Sequence, residues 1–309
     1  MNMASTSTES LNLSIEAAAS SFQRHLRAAN KAPRTITGYL DAVTRFGQYL
    51  AEMGMPRDVT GIHREHVEAW VVAMQDAGHR PASVANRYRS IRVFFNWLVS
   101  EEEITRSPMD KMSTPAIPEI PVPLLPPDQV AKLLETCNGT TFDDRRDLAI
   151  LRVLIDCGIR RTECANLKVD DADLDRDHIW VIEGKGRRSR QVAIHTKTVK
   201  AIDRYLRLRP RHPHHREDWL WLGRRGRLTS AGILQLVRRR GREIGVPNLH
   251  PHQLRHLAAH NDAQEGLSVP DMMMKYGWRD DSMARRYGAS AAAERALAHS
   301  QAMVGGDRY

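Results

Sequence analysis

Six side chains in the second half of the chain are of the types that move a phosphoryl group. Arg160 follows Cys157-Gly158-Ile159, a break after an apolar helix, and Glu163 lies three residues on. Lys185 sits between two glycines at a hairpin tip. His252 and Arg255 are three apart near a helix start that carries Pro251 in its first turn. Trp278 follows Gly277, and Tyr287 comes nine residues after Trp278 beside Arg285 and Arg286. Displacement at a phosphodiester builds negative charge on two non-bridging oxygens, which two arginines can hold through paired N–H bonds without a metal. A lysine can protonate the departing 5′-oxygen, and a histidine can share a proton near the nucleophile. The Trp278 indole N–H can reach the phosphate while its ring packs as a wall. A tyrosine phenol assisted by those cations can attack phosphorus and leave a covalent phosphotyrosine. That link conserves the bond energy, so a second hydroxyl can reseal the backbone without ATP.

Taken singly, each residue has a plainer reading. Arg160 can pair with Glu163 at the surface, Lys185 can be a solvated hairpin charge, and Trp278 and Tyr287 can be packed aromatics. Joint occurrence in one order is what carries the argument.

The elements that must position these residues are mostly helical. Between Ser14 and Glu103 four helices are expected, with apolar faces at helical spacing. The faces are Ile15, Ala19, Phe22, Leu26; Tyr39, Val43, Phe46, Leu50; Val67, Trp70, Val71, Met74; and, after Ser83, Val84, Tyr88, Ile91, Phe95, Leu98. Gly54 with Pro56, and Gly78 with Pro81, mark breaks. Pro115, Pro118, Pro121, Pro123, Pro126 and Pro127 then form a stiff, extended connector. Beyond it, helices are expected at Pro127–Cys137, Asp143–Cys157, Thr196–Leu208, Ser230–Ile244, His250–Gln264 and Pro270–Tyr276, with a last pair after Asp281. Ile179–Ile182 and Gln191–Ile194 alternate and are β-branched, which predicts a small antiparallel hairpin with a basic tip. The expected organisation is a disordered start (1–13), a helical domain (14–110), a Pro-rich linker (111–125), a second domain (126–290) and a tail (291–309).

Charge narrows the class of partner. The 309 residues carry a formal net charge of +9, which favours a polyanion. From Arg204 to Arg242 there are twelve arginines, no lysines and two acids, and arginine grips phosphate bidentately. A solvated basic face is the alternative. No apolar run approaches the roughly 18 residues of a membrane span, and Met1–Ser10 has no basic-then-apolar pattern, so a cytoplasmic, DNA-associated protein is expected. Cys137, Cys157 and Cys164 form no C-x-x-C pair and are expected as reduced, partly buried thiols. His252, His256 and His260 recur every four residues, a spacing that can bind zinc, but no acidic or cysteine fourth ligand is evident nearby. Neither metal nor cofactor is expected.

The order and spacing resemble the tyrosine recombinase (phage integrase) family. Gly158-Ile159-Arg160-Arg161-Thr162-Glu163 is similar to its first-arginine motif, Gly184-Lys185-Gly186 to its hairpin lysine, and His252-Gln253-Leu254-Arg255-His256 to its H-x-L-R-H box. Tyr276-Gly277-Trp278, with Tyr287 downstream, is similar to its last box and nucleophile. Trp278 stands where histidine is commoner, Met283 and Ala284 where threonines are frequent, and Cys164 where leucine is usual. The resemblance spans the second domain and, more loosely, the first.

It implies a two-domain, C-shaped clamp on double-stranded DNA: a mostly α fold with a small antiparallel sheet in the catalytic half. Arg160 and Arg255 would clamp the scissile phosphate, with Lys185 as general acid and Tyr287 as nucleophile. His252 and Trp278 would complete the pocket, Glu163 would support it, and Arg187, Arg188, Arg238, Arg239 and Arg240 would contact DNA. The implied assembly is a tetramer on two sites, a dimer on each, working through a Holliday junction, with the tail on a neighbouring protomer and accessory proteins possible partners. An inactive DNA-binding regulator and a type IB topoisomerase-like relaxing enzyme are the alternatives.

Overall fold

The computed structural model describes residues 13–118, 124–182 and 189–303. The chain divides into two compact units, Met1–Ile120 and Pro121–Tyr309.

The first unit is built from α1 (Ile15–Ala28), α2 (Pro33–Glu52), α3 (Arg64–Asp76) and α4 (Pro81–Ser100). The Ser14 hydroxyl caps α1 by accepting from the Ala17 N–H at 3.2 Å. Prolines open α2 and α4, where no intrahelical N–H is required. The core holds Ile15, Phe22, Leu26, Val43, Phe46, Leu50, Trp70, Tyr88, Ile91 and Phe95. Ala19, Tyr39 and Val71 are only partly buried, and Phe94 joins the interior. Helix α4 starts at Pro81, two residues before the expected Ser83.

The second unit begins with α5 (Pro127–Glu135) and α6 (Phe142–Cys157). Thr141 caps α6, and Gly158, at φ +56°, turns the chain out of it. A short helix, α7 (Arg161–Ala165), leads into a three-stranded antiparallel sheet of β1 (Ala172–Asp173), β2 (His178–Val181) and β3 (Arg190–Ala193), in that order. Val181 pairs with Arg190 and Ile179 with Val192. Next come α8 (Thr196–Leu208), a hairpin of β4 (Leu222–Gly223) and β5 (Gly226–Arg227), α9 (Ser230–Glu243), α10 (Pro251–Gln264), α11 (Val269–Tyr276) and α12 (Ser282–Gln301). Helix α6 is central: Leu148 to Leu151, Val153, Leu154 and Cys157 are all buried.

The expected mostly helical fold with a small antiparallel sheet is observed, with differences. β1 and the β4–β5 hairpin were not anticipated, because two-residue strands leave no alternation to read. The expected pair of helices after Asp281 is one continuous helix, α12; Gly288 lies within it and does not break it. The three cysteines are free and fully buried. Within the described residues no helix is long and apolar enough to cross a membrane. Pro121 and Pro123 of the expected linker lie outside the described residues.

Candidate active site

The C-terminal end of α11 is the anchor of the site. The last carbonyls of a helix have no intrahelical partner, and they carry the negative end of its dipole. Gly277 ends α11 in the left-handed conformation, at φ +61°. Three consecutive carbonyls there each accept from a different arginine. Lys275 O accepts from Arg190 Nε at 2.8 Å, Tyr276 O from Arg255 Nη2 at 2.7 Å, and Gly277 O from Arg160 Nη2 at 3.1 Å.

Arg160 immediately precedes α7. Glu163, in the first turn of that helix, bends back so that Oε2 accepts the Arg160 backbone N–H at 2.8 Å and Oε1 the Arg160 Nη1 at 2.7 Å. Glu163 also pairs with Arg190, Nη2 to Oε2 at 2.9 Å. Burial pushes the Glu163 carboxyl up, but Arg190 and the Arg160 backbone and side chain outweigh it, and the group is held down at about 2. It is a fixed anion at any working pH. Arg255 is 4% exposed, and its Nη1 donates to Gly158 O at 2.7 Å. Burial, then Arg160, lower its pKa to about 10. It remains a cation at neutral pH, held by two carbonyls and two aromatic rings: its Cζ lies 5.1 Å from the Tyr276 ring and 5.8 Å from that of Trp278.

Arg160, Arg161, His250, His252 and Arg255, with Ile159, Leu234 and Pro251, line an open cavity of about 220 Å³. His252 is exposed at its rim, and its pKa is lowered by desolvation and by Arg255, His250 and Arg160. This shift favours the neutral ring, the form that can take a proton.

Tyr287 comes from α12 and is 5% exposed. Its ring stacks on Trp278 at 5.8 Å with 11° between planes, and Trp278 stacks in turn on Tyr276 at 4.7 Å. His256, 4.2 Å from the His252 ring, lies 5.6 Å from Tyr287. The structure therefore brings Arg160, Glu163, His252, Arg255, Trp278 and Tyr287 into one neighbourhood. Lys185, Arg187 and Arg188 lie outside the described residues.

Two assignments shift. Arg240, expected on DNA, is buried and points inward: Nη2 bonds Asp144 at 2.9 Å and Asp147 at 2.9 Å, and Nη1 bonds Thr136 O at 2.7 Å. It closes an internal ion cluster around the fully buried Asp147, which Arg146 also joins. Arg239 is half-exposed and bonds the same carboxylate, whereas Arg238 faces solvent. Conversely, Arg190 was missed. Period two from Val192 and Ile194 aims Arg190 inward, where a charge needs partners, but the strand was expected to begin one residue later.

Comparison with known proteins fits this arrangement. Residues 123–294 match the model of the phage integrase family, and residues 19–102 match the phage integrase N-terminal SAM-like domain. The chain belongs to the phage integrase family of tyrosine recombinases. Curated relatives include tyrosine recombinase XerD of Listeria innocua serovar 6a, 28% identical over 258 residues, covering 82% of this chain and 86% of the relative. Tyrosine recombinase XerC of Chromohalobacter salexigens is 30% identical over 255 residues, covering 81% and 84%. Among solved structures, XerA recombinase is 25% identical, with a TM-score of 0.53 over 92% of this chain and 98% of that one. The Tn1549 transposon integrase, solved with transposon right end DNA, shares the fold at TM-score 0.75 and 16% identity, over 91% and 99% of the chains.

Proposed function

We propose that this chain cuts and rejoins double-stranded DNA at specific sites through a 3′-phosphotyrosine at Tyr287. The observation that carries the reading is the meeting of Arg160 and Arg255 at the end of α11, with one tryptophan ring packed against both Arg255 and Tyr287. Two guanidiniums fixed by backbone carbonyls are preorganised for the two non-bridging oxygens of a phosphodiester, so little reorganisation accompanies charge development. Tyr287 Oη attacks phosphorus and His252 takes its proton, while Lys185 protonates the departing 5′-oxygen. A 5′-hydroxyl of the partner strand then attacks the phosphotyrosine, the phenol regains a proton, and the strand is exchanged. Repetition on the second strand pair passes through a Holliday junction. Tyr287 is buried at rest, so attack requires α12 to shift. We place the working assembly as a tetramer on two DNA sites, a dimer on each, inside the cytoplasm. Exposed Arg238 and half-exposed Arg239 contact the DNA backbone, together with Arg187 and Arg188.

Tyr287→Phe tests the reading. On a nicked suicide substrate it is expected to yield no covalent DNA complex, while its affinity for the same DNA stays within about twofold of wild type. Covalent DNA trapped by that variant would show that another residue is the nucleophile.

A further inference from the structure

The phosphate-handling residues leave one buried cation of the site without a task. Arg190 opens β3, opposite Val181, and its side chain is 6% exposed. Burying a guanidinium costs several kcal/mol unless it is fully partnered, and packing alone would be served better by an apolar residue. Its partners are informative. Nη2 and Nη1 reach the two Glu163 oxygens at 2.9 and 3.4 Å, and Nε reaches Lys275 O at 2.8 Å.

Two of the groups that hold Arg160 lie against Arg190. One is Glu163, which accepts from the Arg160 backbone and side chain. The other is Gly277 O, two residues beyond the carbonyl that Arg190 grips. The contact with this turn is close: a Cβ on Gly277 would stand 3.2 Å from Arg190 Nη1 and 3.6 Å from Arg160 Nη1. Arg160 itself is 38% exposed on a long side chain, so holding one rotamer works against its conformational entropy. A carboxylate pinned from its far side resists that loss better than one free to rotate.

We infer that Arg190 is a positioning residue for strand cleavage: it orients the Glu163 carboxylate and the end of α11 so that Arg160 is set for the incoming phosphate. The inference rests on the role of Arg160 proposed above. It also ties the base of the β2–β3 hairpin to the arginine pair, because β3 delivers the link.

A double-mutant cycle on the full chain separates positioning from mere structural support. Arg190→Gln and Arg190→Lys are made in the wild-type and Glu163→Gln backgrounds. Single-turnover cleavage of a suicide DNA substrate and equilibrium binding of the same DNA are measured for each. Arg190→Gln is expected to slow cleavage about tenfold or more with DNA affinity changed less than about twofold. Arg190→Lys, which keeps the charge beside Glu163, should recover part of that loss. In the Glu163→Gln background, Arg190→Gln should cost several-fold less than it does in the wild type, because the carboxylate route to Arg160 is already weakened and only the route through the end of α11 remains. Losses that multiply across the cycle, or a wild-type rate in Arg190→Gln, overturn the inference. If Arg190→Gln does not fold by its melting curve, Arg190→Lys closes the same cycle by the same criterion. A wild-type protein that forms no covalent complex would instead overturn the recombinase reading itself.

Discussion

His256 shows how much the surroundings dictate a single side chain. Burial, then His252 and Arg286, hold its pKa down at about 4, and its buried Nδ1 has no hydrogen bond among the described residues. The unfolded chain, with a histidine pKa near 6.5, takes up the proton first. Stability from this residue is therefore complete above about pH 6.5 and falls as pH drops toward 4, by on the order of 2–3 kcal/mol. His256→Gln should flatten that part of the curve, checked by urea unfolding of both proteins at pH 7.5 and pH 5. Parallel losses in the two would show that His256 is not the source. At this scale residue type was legible and direction was not. His252-Gln253-Leu254-Arg255-His256 announced a phosphate site, yet nothing in it told that Arg255 would be 4% exposed or that three carbonyls of one turn would receive three arginines.

At the scale of elements, two left-handed glycines, Gly158 and Gly277, set the site. Gly158 ends α6 at φ +56°, and a Cβ there would fall 2.4 Å from Tyr276 Cε1 and 3.0 Å from Ala258 Cβ. Gly158→Ala combines a left-handed backbone penalty with overpacking and should cost roughly 2–4 kcal/mol. Gly245, at φ +78°, has nothing within 4 Å of its would-be Cβ, so Gly245→Ala should cost only about 1 kcal/mol. Equal losses in chemical denaturation would remove the packing part of this argument. Long helices were readable because periodicity accumulates over several turns: Thr196–Leu208 is found at the expected bounds. The β4–β5 hairpin was not, since Leu222–Gly223 and Gly226–Arg227 are strands only through each other. Likewise β3 begins with an arginine that only tertiary partners make tolerable.

At the scale of the whole molecule, the arginine surplus divides into two populations. Arg209 is turned onto the carbonyls of His215, Glu217 and Trp219, and Arg240 onto Asp144 and Asp147. Arg238 faces solvent. Charge along the chain cannot distinguish the two, because Arg209 is held by main-chain oxygens that any residue carries and Arg240 by acids from a distant segment. Arg240→Ala should destabilise the fold by about 3 kcal/mol, since it strips a partner from a buried carboxylate. Arg238→Ala should leave the melting temperature unchanged and reduce the salt slope of DNA binding by about 1. Melting curves and titrations at several salt concentrations check both; an interchange of the two outcomes would reverse the division. The three arginines gathered at the end of α11 dock on peptide oxygens, and every amino acid supplies the same oxygen. Selection on that turn therefore acts on the path of the main chain more than on the identity of its side groups. A saturation library across residues 273–277 should show steep intolerance at Gly277 and a gentler gradient at Met274, allowing the turn to drift in sequence over evolutionary time while its grip persists.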